Sequence, residues 1–127
     1  MTNELRAHRE VAVLGLARSG DAASRLLRSR HATVYASDAG KSPAMEATAN
    51  ALRSAGVDAH VGGHDFQRIA RASLVVTSPG IPPDAPSLSA ARRAGVPIIS
   101  EVELALSQMP GVRYIAVTGT NGKTTVT

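Results

Sequence analysis

The sequence predicts an α/β fold: a Rossmann-like parallel sheet with helices on both faces. Three observations predict it. Short apolar runs alternate along the chain with segments of helical periodicity. A glycine-containing loop directly follows the first apolar run, and a second glycine-rich loop follows the last one. The 127 residues can hold one domain of ordinary size together with part of another.

Strand and helix patterns alternate in the first half of the chain. Gly15 closes the first apolar run, Ser42 is a helix N-cap before a proline, and Gly56 stands where that helix should end. The predicted elements are, in order, a buried strand at 10–15, a helix at 19–30, a strand at 32–37, a helix from residue 43, and a weak strand at 57–61.

The second half continues the same alternation. Pro97 removes one ladder donor, so its strand belongs at a sheet edge. Ser100 and Glu103 have the spacing of a capping box. The predicted elements are a short helix at 65–71, a buried strand at 73–77, irregular chain at 78–83, a helix from 84 or 85, an edge strand at 96–99, a helix after residue 100, and a strand at 113–118.

The first glycine loop runs from Gly15 to Gly20 and has the context of a phosphate-binding turn. Gly15 permits the tight turn, Gly20 permits close approach of helix and strand, and backbone donors at the helix start face an anion. Ala17 stands where the dinucleotide pattern has glycine. Asp38 ends the next strand, where such folds place an acid against a ribose hydroxyl. The loop predicts a nucleotide site, for a redox cofactor or a nucleotide-linked substrate; the alternative is a plain strand–turn–helix junction.

The second loop, Gly119–Thr124, follows a strand and ends in Gly-Lys-Thr. Its backbone N–H groups would cradle phosphate oxygens, Lys123 would neutralise phosphate charge, and Thr124 would coordinate Mg²⁺. It is a shortened P-loop, because Val117 replaces the usual first glycine. The loop predicts the first elements of a P-loop ATPase domain; the alternative is a glycine-rich turn with a surface lysine.

Composition excludes several other classes of site. The chain has no cysteine, which excludes disulfides, thiolate metal sites and a cysteine nucleophile. It contains no apolar run long enough to span a membrane and no secretory signal, so we expect a cytoplasmic protein without a membrane partner. The net charge of +4 comes from scattered arginines, so we expect no nucleic-acid partner. The four histidines lack metal-binding spacing.

Both loops and several segments between them resemble those of the Mur ligases. These are the ATP-dependent peptide-bond-forming enzymes of peptidoglycan synthesis. Residues 118–125 are similar to that family's ATP loop. The resemblance is closest to the branch that adds D-glutamate to UDP-N-acetylmuramoyl-L-alanine, and it covers the chain from residue 10 onward. The further matching segments are 13–16 with 18–20, 34–38, 78–81, 86–88 with 90–91 and 94–97, and 100–104.

The resemblance implies a UDP-substrate-binding domain at 1–100 and a truncated start of the central ATP-binding domain at 101–127. Lys123 and Thr124 would be catalytic, with Thr124 holding Mg²⁺. The implied UDP-substrate-binding residues are Gly15, Arg18, Ser19, Asp38, Ser78, Pro79 and Gly80. The implied ATP-binding residues are Gly119, Thr120, Asn121, Gly122, Lys123, Thr124 and Thr125.

The reaction implied by the resemblance transfers the γ-phosphoryl group of ATP to the substrate carboxylate, after which the amine of D-glutamate attacks the acyl phosphate. Relatives continue for hundreds of residues with the D-glutamate site, so we expect this chain to be inactive alone, and we expect a monomer. Ala17 and Asp21 depart from the family pattern. The alternatives are a stand-alone nucleotide-binding module, the alanine-adding Mur ligase, and a small dinucleotide-dependent oxidoreductase domain.

Overall fold

A computed structural model describes residues 10–107, and they form alternating strands and helices. None of the helices in this range is long and apolar enough to cross a membrane. The strands are β1 (Glu10–Leu14), β2 (Thr33–Asp38), β3 (Asp58–Val61), β4 (Leu74–Thr77) and β5 (Ile98–Ser100). The helices are α1 (Arg18–Ser29), α2 (Pro43–Ser54), α3 (Phe66–Arg71), α4 (Pro86–Arg93) and α5 (Glu101–Ser107).

All five strands are parallel and lie in the order β3-β2-β1-β4-β5. Val11 of β1 pairs with Val34 on one side and with Leu74 on the other. The chain therefore winds outward in both directions from the centre, and the order reverses between β1 and β4. In doubly wound sheets such a reversal opens a crevice beyond the carboxyl ends of the strands. The predicted parallel sheet is confirmed, and among residues 10–107 β5 lies at an edge of the sheet as predicted.

Apolar side chains cover both faces of the sheet, as predicted. Alternate residues of β1 point to opposite faces, so Val11 and Val13 enter one core while Ala12 and Leu14 enter the other. The first core contains buried residues of α1, α2 and α5, and the second contains buried residues of α3 and α4. A strand buried on both faces explains why β1 is a continuous apolar run rather than an alternating one.

Side-chain caps start two helices, α2 and α5, where the sequence predicts them. The Ser42 hydroxyl accepts a hydrogen bond from the Met45 amide at 3.2 Å. The Ser100 hydroxyl accepts from the Glu103 amide at 3.1 Å, and the Glu103 carboxylate accepts from the Ser100 amide at 2.8 Å. This reciprocal pair is a complete capping box. Helix α4 begins at Pro86, one or two residues after its predicted start, because proline suits the first helical position.

Arg68 of α3 joins this helix to the neighbouring strands. Its guanidinium donates to both carboxylate oxygens of Glu10, at 3.1 and 2.6 Å, and to Asp58 at 2.7 Å. The same group lies 4.1 Å from the ring centroid of Tyr35. Burial raises the pKa of Asp58, but hydrogen bonds from Arg68 and His60 together with their charges outweigh it and lower the pKa. Through these contacts Arg68 ties α3 to Glu10 and Asp58, the first residues of β1 and β3.

The predicted strand at 113–118 and the phosphate loop after it lie outside the described residues. The P-loop part of the fold and the domain boundary at residue 100 therefore stay predictions. Within the described range, Leu104 of α5 is buried in the same core as α1 and α2.

Candidate functional site

A cavity of about 560 Å³ opens at the carboxyl ends of the central strands. Its wall contains Gly15 after β1, Asp38 at the end of β2, and Ser78 after β4. The cavity therefore occupies the reversal point of the strand order, where doubly wound sheets bind ligands. Four further wall residues come from the irregular chain between β4 and α4: Gly80, Ile81, Pro82 and Ala85.

Two glycines shape the connection between β1 and α1. Gly15 has φ of +104°, and a Cβ atom on it would lie 2.6 Å from the Ser78 hydroxyl oxygen. A Cβ atom on Gly20 would lie 1.9 Å from the Gly15 carbonyl oxygen. The tight turn and the close helix–strand approach predicted for these residues are both confirmed. Phosphate binding by the loop stays a prediction.

Asp38 ties the ends of β1 and β2 together. Its Oδ2 accepts a hydrogen bond from the Leu16 amide at 2.8 Å, and its Oδ1 accepts from the Gly40 amide at 2.8 Å. Each carboxylate oxygen can accept more than one hydrogen bond, so both keep capacity for a ligand. Asp38 thus shapes the glycine turn and also presents an acceptor to the cavity.

The cavity wall includes four of the seven residues implied for UDP binding. Gly15, Asp38, Ser78 and Gly80 line it. The other three, all exposed, are outside the lining: Arg18 and Ser19 in the first turn of α1, and Pro79. The hydroxyl of Ser19 instead faces a glutamate of another helix.

That glutamate is Glu101, the first residue of α5. Its side chain is buried, and Oε2 has no hydrogen-bond partner among residues 10–107. Burial raises the pKa of Glu101, while a hydrogen bond from the Ser19 hydroxyl partly opposes the rise. A buried carboxyl with an unpaired oxygen is costly to ionise.

The sequence analysis missed several residues of the cavity wall. His64 follows β3, and its Nδ1 lies 2.6 Å from the Ser37 hydroxyl oxygen, which is a hydrogen-bond distance. The tautomer of His64 decides which of the two groups donates. Burial lowers the pKa of His64, opposed by the Asp38 carboxylate. Phe66 is 46% exposed at the wall, although it is a large apolar residue. The signal was available, because His64 and Phe66 follow a strand end just as Gly15 does.

The ATP and Mg²⁺ residues implied by the resemblance, 119–125, lie outside the described residues. Among residues 10–107, no three His, Asp or Glu side chains are grouped so that they could hold a metal ion. The described cavity combines backbone donors at a helix start, one carboxylate and an apolar wall. Such a set can bind a polyanion attached to an uncharged ring system.

A model of the family described as "Mur ligase MurD-like, N-terminal domain" matches residues 9–100. The chain belongs to the MurD-like Mur ligases. It is 48% identical over 117 residues to a UDP-N-acetylmuramoylalanine–D-glutamate ligase of Frankia casuarinae, covering 92% of this chain and 25% of the relative. It is 44% identical over 119 residues to the enzyme of that name from Acidobacterium capsulatum, covering 94% of this chain and 26% of the relative.

The chain therefore spans about a quarter of the length of these curated relatives. Among solved structures, it resembles a pseudomurein peptide ligase type C of Methanothermus fervidus with a TM-score of 0.67 at 22% identity, covering 82% of this chain and 21% of the other. It also resembles a shikimate 5-dehydrogenase of Mycobacterium fortuitum with a TM-score of 0.54 at 18% identity, covering 84% of this chain and 50% of the other. Since ligases and dehydrogenases share this fold, the fold alone does not decide the function.

Proposed function

We propose that this chain is the substrate-binding part of a UDP-N-acetylmuramoylalanine–D-glutamate ligase and that its cavity holds the UDP portion of UDP-N-acetylmuramoyl-L-alanine. The observation that carries the proposal is the cavity at the reversal point between β1 and β4, in a chain of the MurD-like family. The strand order then predicts how a nucleotide would lie in it.

The diphosphate is proposed to lie at the start of α1. The N-cap residue Ala17 makes no side-chain hydrogen bond, so it does not occupy the first amide groups of this 12-residue helix. These donors and the positive end of the helix dipole favour an anion. Arg18, exposed in the same turn, adds a positive charge nearby.

The ribose is proposed to meet Asp38 at the end of β2, and the uracil ring to lie against the apolar wall. The larger apolar side chains that line the cavity include Ile81, Pro82 and Phe66. An uncharged ring that enters an apolar wall loses little hydration and gains contact area. In this arrangement the ligand crosses the sheet from the end of β1 toward the ends of β2 and β3.

The finer chemistry of the ligase is also a proposal. A carboxylate reacts poorly with amines, because its oxygen is a poor leaving group, and phosphorylation by ATP removes that obstacle. Gly119–Thr125 would bind ATP, with Lys123 and Thr124 supplying positive charge directly and through Mg²⁺. D-Glutamate would be the second substrate. We expect the protein to be cytoplasmic and monomeric, and to have no nucleic-acid or membrane partner.

Titration calorimetry with UDP and with NAD tests the proposed cavity occupant. We expect the chain to bind UDP more tightly than NAD. Tight NAD binding without UDP binding would contradict the proposal and favour the oxidoreductase alternative. Binding of neither nucleotide would also contradict it.

A charge placed at the proposed diphosphate position sharpens the test. Ala17 is exposed and lines the cavity, so Ala17→Glu puts a carboxylate beside the diphosphate. We expect UDP affinity to fall by about tenfold or more, because like charges repel strongly at such short range. Ala22→Glu is the matched control, since Ala22 is exposed on α1 outside the cavity lining. Equal affinities of the two variants would place the diphosphate elsewhere.

A further inference from the structure

His64 is held in one orientation by a residue of the neighbouring strand. Ser37 of β2 is 0% exposed, and its hydroxyl oxygen lies 2.6 Å from Nδ1 of His64. Within residues 10–107, this nitrogen is the one acceptor that the structure gives the Ser37 hydroxyl. A buried hydroxyl that does not donate is costly. Ser37 therefore donates to Nδ1, which assigns the proton of the neutral imidazole to Nε2.

The position of His64 relative to the strands determines which part of a bound nucleotide its side chain can reach. A diphosphate at the start of α1 lies beyond β1, and Asp38 at the end of β2 marks the ribose. His64 follows β3, the next strand outward, and lines the same cavity. The nucleoside half of the ligand is therefore its neighbour, and the diphosphate is not.

We propose that His64 donates its Nε2–H to an uncharged oxygen of the nucleoside, on the ribose or the base, and that Ser37 positions the ring for this contact. The inference rests on the proposed function, because it requires a UDP-type ligand in the cavity. Two further observations agree with it. Burial lowers the pKa of His64, so the ring is neutral at neutral pH and suits an uncharged acceptor. The adjoining wall is apolar, which strengthens a hydrogen bond made there.

Binding of UDP and of uridine by histidine variants tests the contact. His64→Asn keeps an amide near the position of Nδ1 but has no group at Nε2. We expect it to lower the affinity for both UDP and uridine by the same factor, about three- to tenfold, since the lost hydrogen bond involves the nucleoside alone. His64→Gln, whose amide reaches the Nε2 position, should retain more of the affinity. Ser37→Ala should also lower the affinity for both UDP and uridine.

His60→Asn is the matched control, because His60 is exposed, pairs with Asp58 and does not line the cavity. It should bind both ligands as the wild-type chain does. A loss confined to UDP in His64→Asn would overturn the inference in favour of a diphosphate contact. Unchanged binding of both ligands would overturn it as well. Failure of the wild-type chain to bind UDP would instead remove the proposed function itself, so the two failures are distinguishable.

Discussion

At the scale of single residues, the cavity depends on two glycines, Gly15 and Gly20, at which a side chain would collide with neighbouring atoms. Gly15 lies in the loop after β1 and Gly20 in the first turn of α1, and each position needs glycine for a different reason. Gly15 has a left-handed backbone conformation, whereas Gly20 has no room for a side chain against the Gly15 carbonyl. The glycine spacing in the sequence predicted both roles, because a tight turn and a close helix approach each exclude a Cβ atom.

Gly20→Ala should be strongly destabilising. The new methyl group would overlap the Gly15 carbonyl oxygen at 1.9 Å, and backbone cannot yield as a flexible side chain does. We expect the free energy of unfolding to fall by roughly 3 kcal/mol or more in a denaturant titration. Gly80→Ala is the control, since a Cβ atom there meets nothing within 4 Å. Equal losses in both variants would contradict the steric explanation.

Glu101→Gln should stabilise the chain in a pH-dependent manner. Burial raises the folded-state pKa of Glu101, so its contribution to stability is fully present below the unfolded-state pKa and is lost as pH rises through the folded-state value. Glutamine does not ionise, so the variant does not lose stability in this way. We expect the variant to gain stability relative to wild type as pH rises from 4 to 7. Denaturant titrations across this range measure the gain, and a pH-independent difference would contradict the explanation.

At the scale of elements, helix starts were the most predictable features of the described chain. Ser42 and the Ser100–Glu103 pair were predicted as caps from residue type and spacing alone, and both predictions are confirmed. A cap is predictable because its partners lie within three residues along the chain. The contacts of Arg68 with Glu10 and Asp58 could not be predicted this way, since they join residues far apart in the sequence.

Ser100→Ala should destabilise the start of α5. The substitution removes the acceptor for the Glu103 amide and leaves half of the capping box. We expect a loss of about 1 kcal/mol in the free energy of unfolding, measured by denaturant titration. Ser54→Ala is the control, because Ser54 is exposed at the end of α2. If Ser54→Ala lowers the free energy of unfolding by as much, the loss in Ser100→Ala is not due to the cap.

At the scale of the whole molecule, the parallel sheet determines where the cavity lies. The strand order reverses between β1 and β4, and the loops leaving these strands separate there. The two cores on either face hold the strands in this order, because each helix buries its apolar side against a specific part of the sheet. The first core also contains Leu104 of α5, a helix that the sequence analysis placed in the second domain.

Leu104→Ala should show whether α5 is an energetic part of the first core. Leu104 is 1% exposed, so its truncation would leave a cavity among residues of α1 and the sheet. We expect a loss of about 2–5 kcal/mol in the free energy of unfolding. Val102→Ala on the same helix is the control, because Val102 is 64% exposed and should change little. Equal small losses would indicate that the first core does not depend on α5.

The sequence by itself determined the order and type of the described elements, the parallel sheet, the edge position of β5 and the membership in the Mur ligase family. The structural features depend on periodicity, caps and glycine positions, which are local in the chain, whereas the family was assigned from the resemblance of its sequence segments. Only the tertiary structure decided that His64 and Phe66 share a cavity with Gly15 and Asp38, and that Ser19 faces Glu101 instead. Such neighbours are set by the packing of distant segments. A position after a strand end indicates the edge of the sheet where a residue lies, but not which side chains it meets there.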